Sequence, residues 1–171
     1  ISMGKKIIEI IKDFFQVGIT AIIVVFICFK FLFISAQVHG TSMYPTLQTN
    51  DRGFSFVLTK NIGIERFDIC VIDSSKASEL LVKRVIGLPN DTIAYINNML
   101  FINGEYVEED FLGDDVYTND FEITLGENEY FCLGDNRPVS KDSRYYGTFS
   151  KEEIKSTHFF VYYPFNRIGV K

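Results

Sequence analysis

Gly40-Thr41-Ser42-Met43-Tyr44-Pro45-Thr46-Leu47 divides this chain into two kinds of sequence. Before it, Phe14 to Ile34 is an apolar run whose one charge is Lys30. After it, short β-branched and aromatic runs alternate with Gly- and Asn-containing turns. The octapeptide itself reads as a turn, with Gly40 ahead of Ser42 and Pro45 behind it, and such a turn can present a hydroxyl and a backbone N–H together.

Toward the N-terminus, residues 4–13 carry Ile7, Ile8, Ile10 and Ile11 at helix-compatible spacing on a net-positive segment. The apolar run that follows is long enough, at about 1.5 Å per residue, to cross a hydrocarbon core of ~30 Å. A helix apolar on every side needs a large core or a membrane, and the rest of the chain is too small to enclose it. A cleaved secretory signal is a poorer fit. The run exceeds the usual ~7–15 residues, and Ile34-Ser35-Ala36 puts a large residue at the outer small position of a cleavage site. The expectation is a retained anchor: 1–13 a short cytoplasmic segment, 14–36 a transmembrane helix and 37–171 an extracytoplasmic domain.

Toward the C-terminus, strands are predicted over 52–58, 67–72, 80–87, 92–96, 99–102, 105–107, 129–133 and 159–163, with Asn97-Asn98 and Asn103-Gly104 as hairpin turns. Ser150-Lys151-Glu152-Glu153 has the pattern of a capping box on a short helical turn. Residues 108–120 are acidic and irregular and read as a solvated loop; they lack EF-hand spacing. The fold class expected is mostly β and antiparallel, behind one N-terminal transmembrane helix.

Charge narrows the partners. The formal net charge is −5, and because residues 1–36 hold four lysines against Glu9 and Asp13, the remainder carries −7. An acidic domain of this kind is no nucleic-acid binder. Cys28, Cys70 and Cys132 lack metal-ligand spacing and read as small buried hydrophobes; a Cys70–Cys132 disulfide is open, but nothing requires it. No metal or cofactor is expected.

A serine is a weak nucleophile until a base takes its proton. Lys83, between Leu81-Val82 and Val85-Ile86, is the candidate: burial depresses an ammonium pKa, and a neutral amine is a competent base. By strand alternation one of Lys83 and Arg84 is expected to be buried and the other solvated. Gly134-Asp135-Asn136-Arg137 with Ser140-Lys141-Asp142-Ser143-Arg144 is a polar loop able to orient a lysine and lock itself by Asp–Arg pairs. His39 lies three residues before Ser42, but no acid is placed to orient it, so a Ser-His-Asp triad is not expected.

Three motifs in register resemble the type I signal peptidases, the Gram-positive branch in particular: Gly40-x-Ser42-Met43-x-Pro45-Thr46-Leu47, Lys83-Arg84-Val85-Ile86-Gly87-Leu88-Pro89-x-Asp91, and Gly134-Asp135-Asn136-Arg137-x-x-Ser140-x-Asp142-Ser143-Arg144-x-x-Gly147. The ending Tyr163-Pro164-Phe165-Asn166-Arg167-Ile168-Gly169 is similar too. The resemblance implies a LexA-like, partly barrel-shaped β domain and a membrane-bound serine endopeptidase that cuts signal peptides from secretory preproteins after small-x-small sites. It implies that Ser42 is the nucleophile and Lys83 the general base. Ser140 would orient the lysine, Asp142 and Arg144 would form a supporting pair, and Met43 would line the substrate cleft. The Ser42 N–H would be one oxyanion donor, with Gly40 supplying no second side-chain donor. Membrane lipid is an implied partner. Some relatives are non-catalytic helpers of pilus assembly, which makes pilin-type substrates the alternative expectation. Asn90 and Pro138 depart from the common pattern, which has Gly and often an acid there.

Overall fold

The computed structural model describes residues 3–113 and 116–171. Ile1-Ser2 of the N-terminal segment and Asp114-Asp115 of the acidic loop lie outside the described residues. The chain divides into two compact units, residues 1–33 and 34–171.

The first unit is one helix, α1 (Met3–Leu32). Residues 4–13 and the apolar run therefore form a single helix rather than two segments. Its stretch Lys6–Leu32 is long and apolar enough to cross a membrane. Ile22, Val25 and Phe26 are all more than half exposed, so the apolar surface is not confined to a core-facing stripe. The helix stops earlier than position 36. Phe33–Gln37 is strand β1, which finds a ladder partner in β2 (Arg52–Phe56).

The second unit is two antiparallel sheets. The larger adds β3 (Ile69–Ile72), β4 (Leu81–Gly87), β9 (Phe131–Leu133) and β10 (Ile154–Tyr163), in the order β1-β2-β10-β3-β4-β9, with β11 (Gly169–Val170) also on β10. The smaller runs β7-β6-β5-β8 and consists of β5 (Thr92–Ile96), β6 (Met99–Ile102), β7 (Glu105–Val107) and β8 (Phe121–Thr124). Its hairpins turn as the sequence predicts. Asn97 and Asn98 take φ of 53° and 65°, closing Ile96 opposite Met99, and Asn103 with Gly104 closes Ile102 opposite Glu105.

Two elements differ from expectation. β10 begins at Ile154, not 159. The capping-box pair is made, Ser150 N–H donating to Glu153 Oε2 at 2.8 Å, but it closes a turn that launches the strand rather than a helix. β8, Phe-Glu-Ile-Thr, follows the acidic run and was unmarked by any turn signal. Two further short helices, α2 (Thr59–Ile62) and α3 (Ser143–Tyr146), are single turns.

All four residues of β3 are buried, because both faces of this part of the sheet are covered. Ile69 and Val71 pack with Val38, Met43, Leu47, Phe159 and Val161. Cys70 and Ile72 pack on the other face with Leu81, Val85, Cys132 and Phe149. A third cluster, including Ile86, Ile93, Tyr95 and Leu133, joins the two sheets. Cys70 and Cys132 are free, with their Sγ atoms 3.9 Å apart. They stand on β3 and β9 with β4 between them, and strands two apart are separated by about 9–10 Å, beyond the reach of a disulfide's Cα atoms.

Candidate active site

The Ser42 turn is held from below and from behind. Met43 is 2% exposed and Leu47 fully buried, so the turn is nailed to the core by its apolar residues while Ser42 stays half-buried at the surface. Leu47 N–H donates to Met43 O at 2.8 Å and Tyr44 N–H to Thr41 O at 3.1 Å. Gly40 has φ of 83°, a left-handed conformation that glycine adopts without strain, and this swings the chain from β1 into the turn. Asp51 accepts from Gln48 N–H and from Arg167, whose guanidinium also donates to Thr46 O at 3.0 Å. The C-terminal segment thus braces the turn.

Lys83 comes from the middle of β4, the strand that bonds β3 on one edge and β9 on the other. It shares its face with Leu81 and Val85, is 3% exposed, and donates from Nζ to Ser42 Oγ at 2.8 Å and to Val82 O at 3.1 Å. Burial pulls the Lys83 pKa below the ordinary lysine value, against the opposing pull of Asp142 and Asp135. The two residues singled out by sequence, 41 positions apart, are therefore in hydrogen-bond contact.

The 134–144 loop closes over this pair. Asn136 N–H donates to Ser42 O at 3.0 Å. The approach is so close that a Cβ on Gly134 would stand 2.4 Å from that carbonyl oxygen and 2.2 Å from Ser140 Oγ. Asp142 accepts from Gly134 N–H at 3.0 Å and pairs with Arg144 at 2.8 and 2.9 Å, while Arg144 also donates to Arg137 O. Burial disfavours the Asp142 carboxylate, but these donors outweigh it and hold its pKa below the usual carboxylate range. Ser140 is placed beside Gly134 and Ser42, yet its buried Oγ meets no hydrogen-bond partner among the described residues, so the expected bond to Lys83 is not made.

Arg84 corrects the expectation of one solvated charge: it is 6% exposed. It donates to both oxygens of Asp135 at 2.9 and 2.7 Å and to Phe67 O at 2.8 Å, and it lies over the Phe111 ring at 4.0 Å. Thr46 Oγ1 donates to the same Asp135 at 2.5 Å. One carboxylate therefore ties the nucleophile turn, the lysine strand and the loop together. A second buried knot joins the loop to the small sheet, with Arg137 bonding Glu109, Tyr95 OH and Thr118. Neither knot was legible as such, because a charge pattern does not say which distant partner will cover it. Ser42 N–H donates to no backbone acceptor among the described residues.

Beside the pair lies a groove of about 340 Å³ lined by Ala36, Val38, Met43, Val71, Leu81 and the pair itself. These residues give it an apolar floor, to which Ser35, Gln37 and Glu79 add polar groups. His39 also borders it, but it is exposed and, among the described residues, without an orienting acid. Among the described residues no cluster of His, Cys, Asp and Glu could hold a metal ion.

Comparison with known proteins agrees with these motifs. The family described as signal peptidase, peptidase S26, matches residues 11–163. Signal peptidase I S of Bacillus subtilis (strain 168) is 38% identical over 98% of this chain and 95% of its own. Signal peptidase IB of Staphylococcus aureus (strain COL) is 32% identical over 96% of this chain and 93% of its own. A crystal structure of a signal peptidase I from Enterococcus faecalis superposes with a TM-score of 0.50 at 34% identity, covering 55% of this chain and 95% of that one. The helix and these relatives support a membrane-anchored protein. On the family match and the relatives together, this chain belongs to the signal peptidase I family and is a serine peptidase that acts in signal-peptide removal.

Proposed function

We propose that the chain is a single-pass membrane enzyme that cuts signal peptides from secretory preproteins with Ser42 as nucleophile and Lys83 as general base. The observation that carries this is the 2.8 Å contact between Lys83 Nζ and Ser42 Oγ, made by a lysine that is almost wholly buried. Once the amine is neutral, the same separation lets the serine O–H donate to Nζ. Ser42 Oγ attacks the scissile carbonyl and its proton passes to Lys83; the carbonyl oxygen takes the Ser42 N–H. Lys83 then gives that proton to the departing amine as the C–N bond breaks. Water, losing a proton to Lys83, hydrolyses the acyl-serine, and the lysine returns the proton to Oγ.

Specificity follows from the groove. Leu81 and Val82 stand on a part of β4 beyond the register of β9, and β1 ends the sheet on the far wall. An extended peptide can bond to such edges, and small side chains fit a lining of Ala36, Val38, Met43 and Leu81. Lys5, Lys6 and Lys12, ahead of the apolar run 14–34, favour a cytoplasmic N-terminus with residues 37–171 on the outer side, where signal peptides emerge in the lipid bilayer. The paired Ser42 and Lys83 favour proteolysis over a silent role in assembling pilins.

The test is incubation of the full chain, in detergent or lipid vesicles, with a secretory preprotein ending its signal in Ala-x-Ala. Release of the mature N-terminus at that site, absent in Ser42→Ala, is expected. Cutting that persists in Ser42→Ala, or no cutting by a folded wild type, would overturn the reading.

A further inference from the structure

The groove beside the catalytic pair is lined by two stretches of chain, Ser35 to His39 ahead of Ser42 and Glu79 to Val82 ahead of Lys83. Among the described residues, the only carboxylate on this lining is Glu79. It is exposed, and among the described residues it makes no ion pair and no side-chain hydrogen bond, in contrast to Glu109, Glu129, Glu152 and Glu153, which all have partners. A solvated glutamate needs no explanation on an open surface. On the lining of a groove that accepts a peptide, four residues before Lys83, it presents an unneutralised charge to whatever residue lies over it.

We propose that Glu79 is a specificity-determining residue of this peptidase, favouring a basic side chain at the fourth or fifth position before the scissile bond. The register follows from chain geometry and rests on the proteolytic reading above. Glu79 stands four residues from Lys83 on a non-helical stretch, so their Cα atoms are separated by at most about 14 Å. A bound peptide is itself extended at about 3.3 Å per residue, so its fourth or fifth residue counted back from the attacked carbonyl reaches Glu79. The acyl side of the substrate occupies this groove because its apolar lining lies next to the pair, where small residues before the cut must fit. Of the other titratable groups on the lining, Lys83 is buried and engaged with Ser42, and His39 makes no ion pair with Glu79 among the described residues. Neither neutralises Glu79.

The contact is solvent-exposed, so the preference is modest. Exposed pairs contribute enough for about a 1.4- to 5-fold gain in kcat/KM, and salt weakens them. The measurement uses the full chain in detergent micelles and a set of peptides ending in Ala-x-Ala before the cut, with Lys, Gln or Glu placed at the fourth or at the fifth position. A control set carries the same changes after the cut. Wild type is expected to rank Lys over Gln over Glu at one of the two positions. Glu79→Gln is expected to level that ranking, and Glu79→Lys to reverse it. Raising salt from 0.05 to 0.5 M should shrink the wild-type ratio. Ratios within one enzyme cancel any general loss of activity in a variant. Cleavage with identical Lys/Glu ratios in all three enzymes overturns the role of Glu79 alone, as does a charge preference confined to the control set. Failure of wild type to cut any peptide overturns the proteolytic reading and this inference with it.

Discussion

The closeness of the 134–144 loop to the nucleophile can be tested with one methyl group. In Gly134→Ala the new Cβ would stand 2.4 Å from Ser42 O, whereas ordinary contact begins near 3.4 Å, so the carbonyl or the loop must move by about 1.0 Å. Ser140 Oγ, at 2.2 Å, can rotate away; the Ser42 carbonyl is backbone and is also gripped by Asn136 N–H at 3.0 Å. A shift of that size at a reacting group costs about 10²-fold in rate. Overpacking should also lower stability by about 1–3 kcal/mol, leaving the domain folded. Cleavage of an Ala-x-Ala peptide, read as kcat beside a thermal melt, is the assay. A fall in kcat of about 10²-fold is expected, with KM changing less. Gly113→Ala, whose Cβ meets nothing nearer than Val116 at 3.9 Å among the described residues, serves as the silent control. A Gly134→Ala enzyme within three-fold of wild type would show that the loop does not set the position of Ser42.

The remaining predictions concern charge. Because burial lowers the Lys83 pKa, the free amine accumulates as pH rises, and kcat/KM should climb to a plateau with its midpoint below 10.5; a profile that falls over that range would contradict a lysine base. Asp135→Asn removes the anion from the buried Arg84, and chemical denaturation should show a loss of about 3–5 kcal/mol; a loss under 1 kcal/mol would mean that Arg84 finds water. The Asp142 carboxylate is held below 3.8 by Arg144 and Gly134 N–H, so it contributes stability above its unfolded pKa that disappears as pH drops through the folded value. Asp142→Asn should therefore flatten the acid limb of the melting curve, and an unchanged limb would remove Asp142 from the explanation.

Much of the fold is written in local pattern. Thr92–Ile96 and Met99–Ile102 are strands where alternation and paired asparagines put them, because a two-residue turn with positive φ dictates the register on either side. β1 was hidden because Phe33-Ile34-Ser35-Ala36-Gln37 continues an apolar helix with no Gly or Pro between them; only pairing with β2, fifteen or more residues on, makes it strand. Ser42 and Lys83 stood out because a hydroxyl in a glycine–proline turn and a lysine in an apolar run are each locally unusual. Arg84 looked like a solvated neighbour of Lys83 because its cover, Asp135, Thr46 and Phe111, comes from three separate segments. The brace from Arg167 to Asp51 and Thr46 is hidden for the same reason: its partners are 116 and 121 residues away.

The most direct measurement is single-turnover cleavage of a preprotein by Lys83→Met beside wild type. Methionine nearly fills the buried volume but removes the amine that touches Ser42. With the fold intact by melting and circular dichroism, a loss of about 10²- to 10⁴-fold is expected from removing the base. Cleavage by Lys83→Met within ten-fold of wild type would contradict the Ser42–Lys83 assignment.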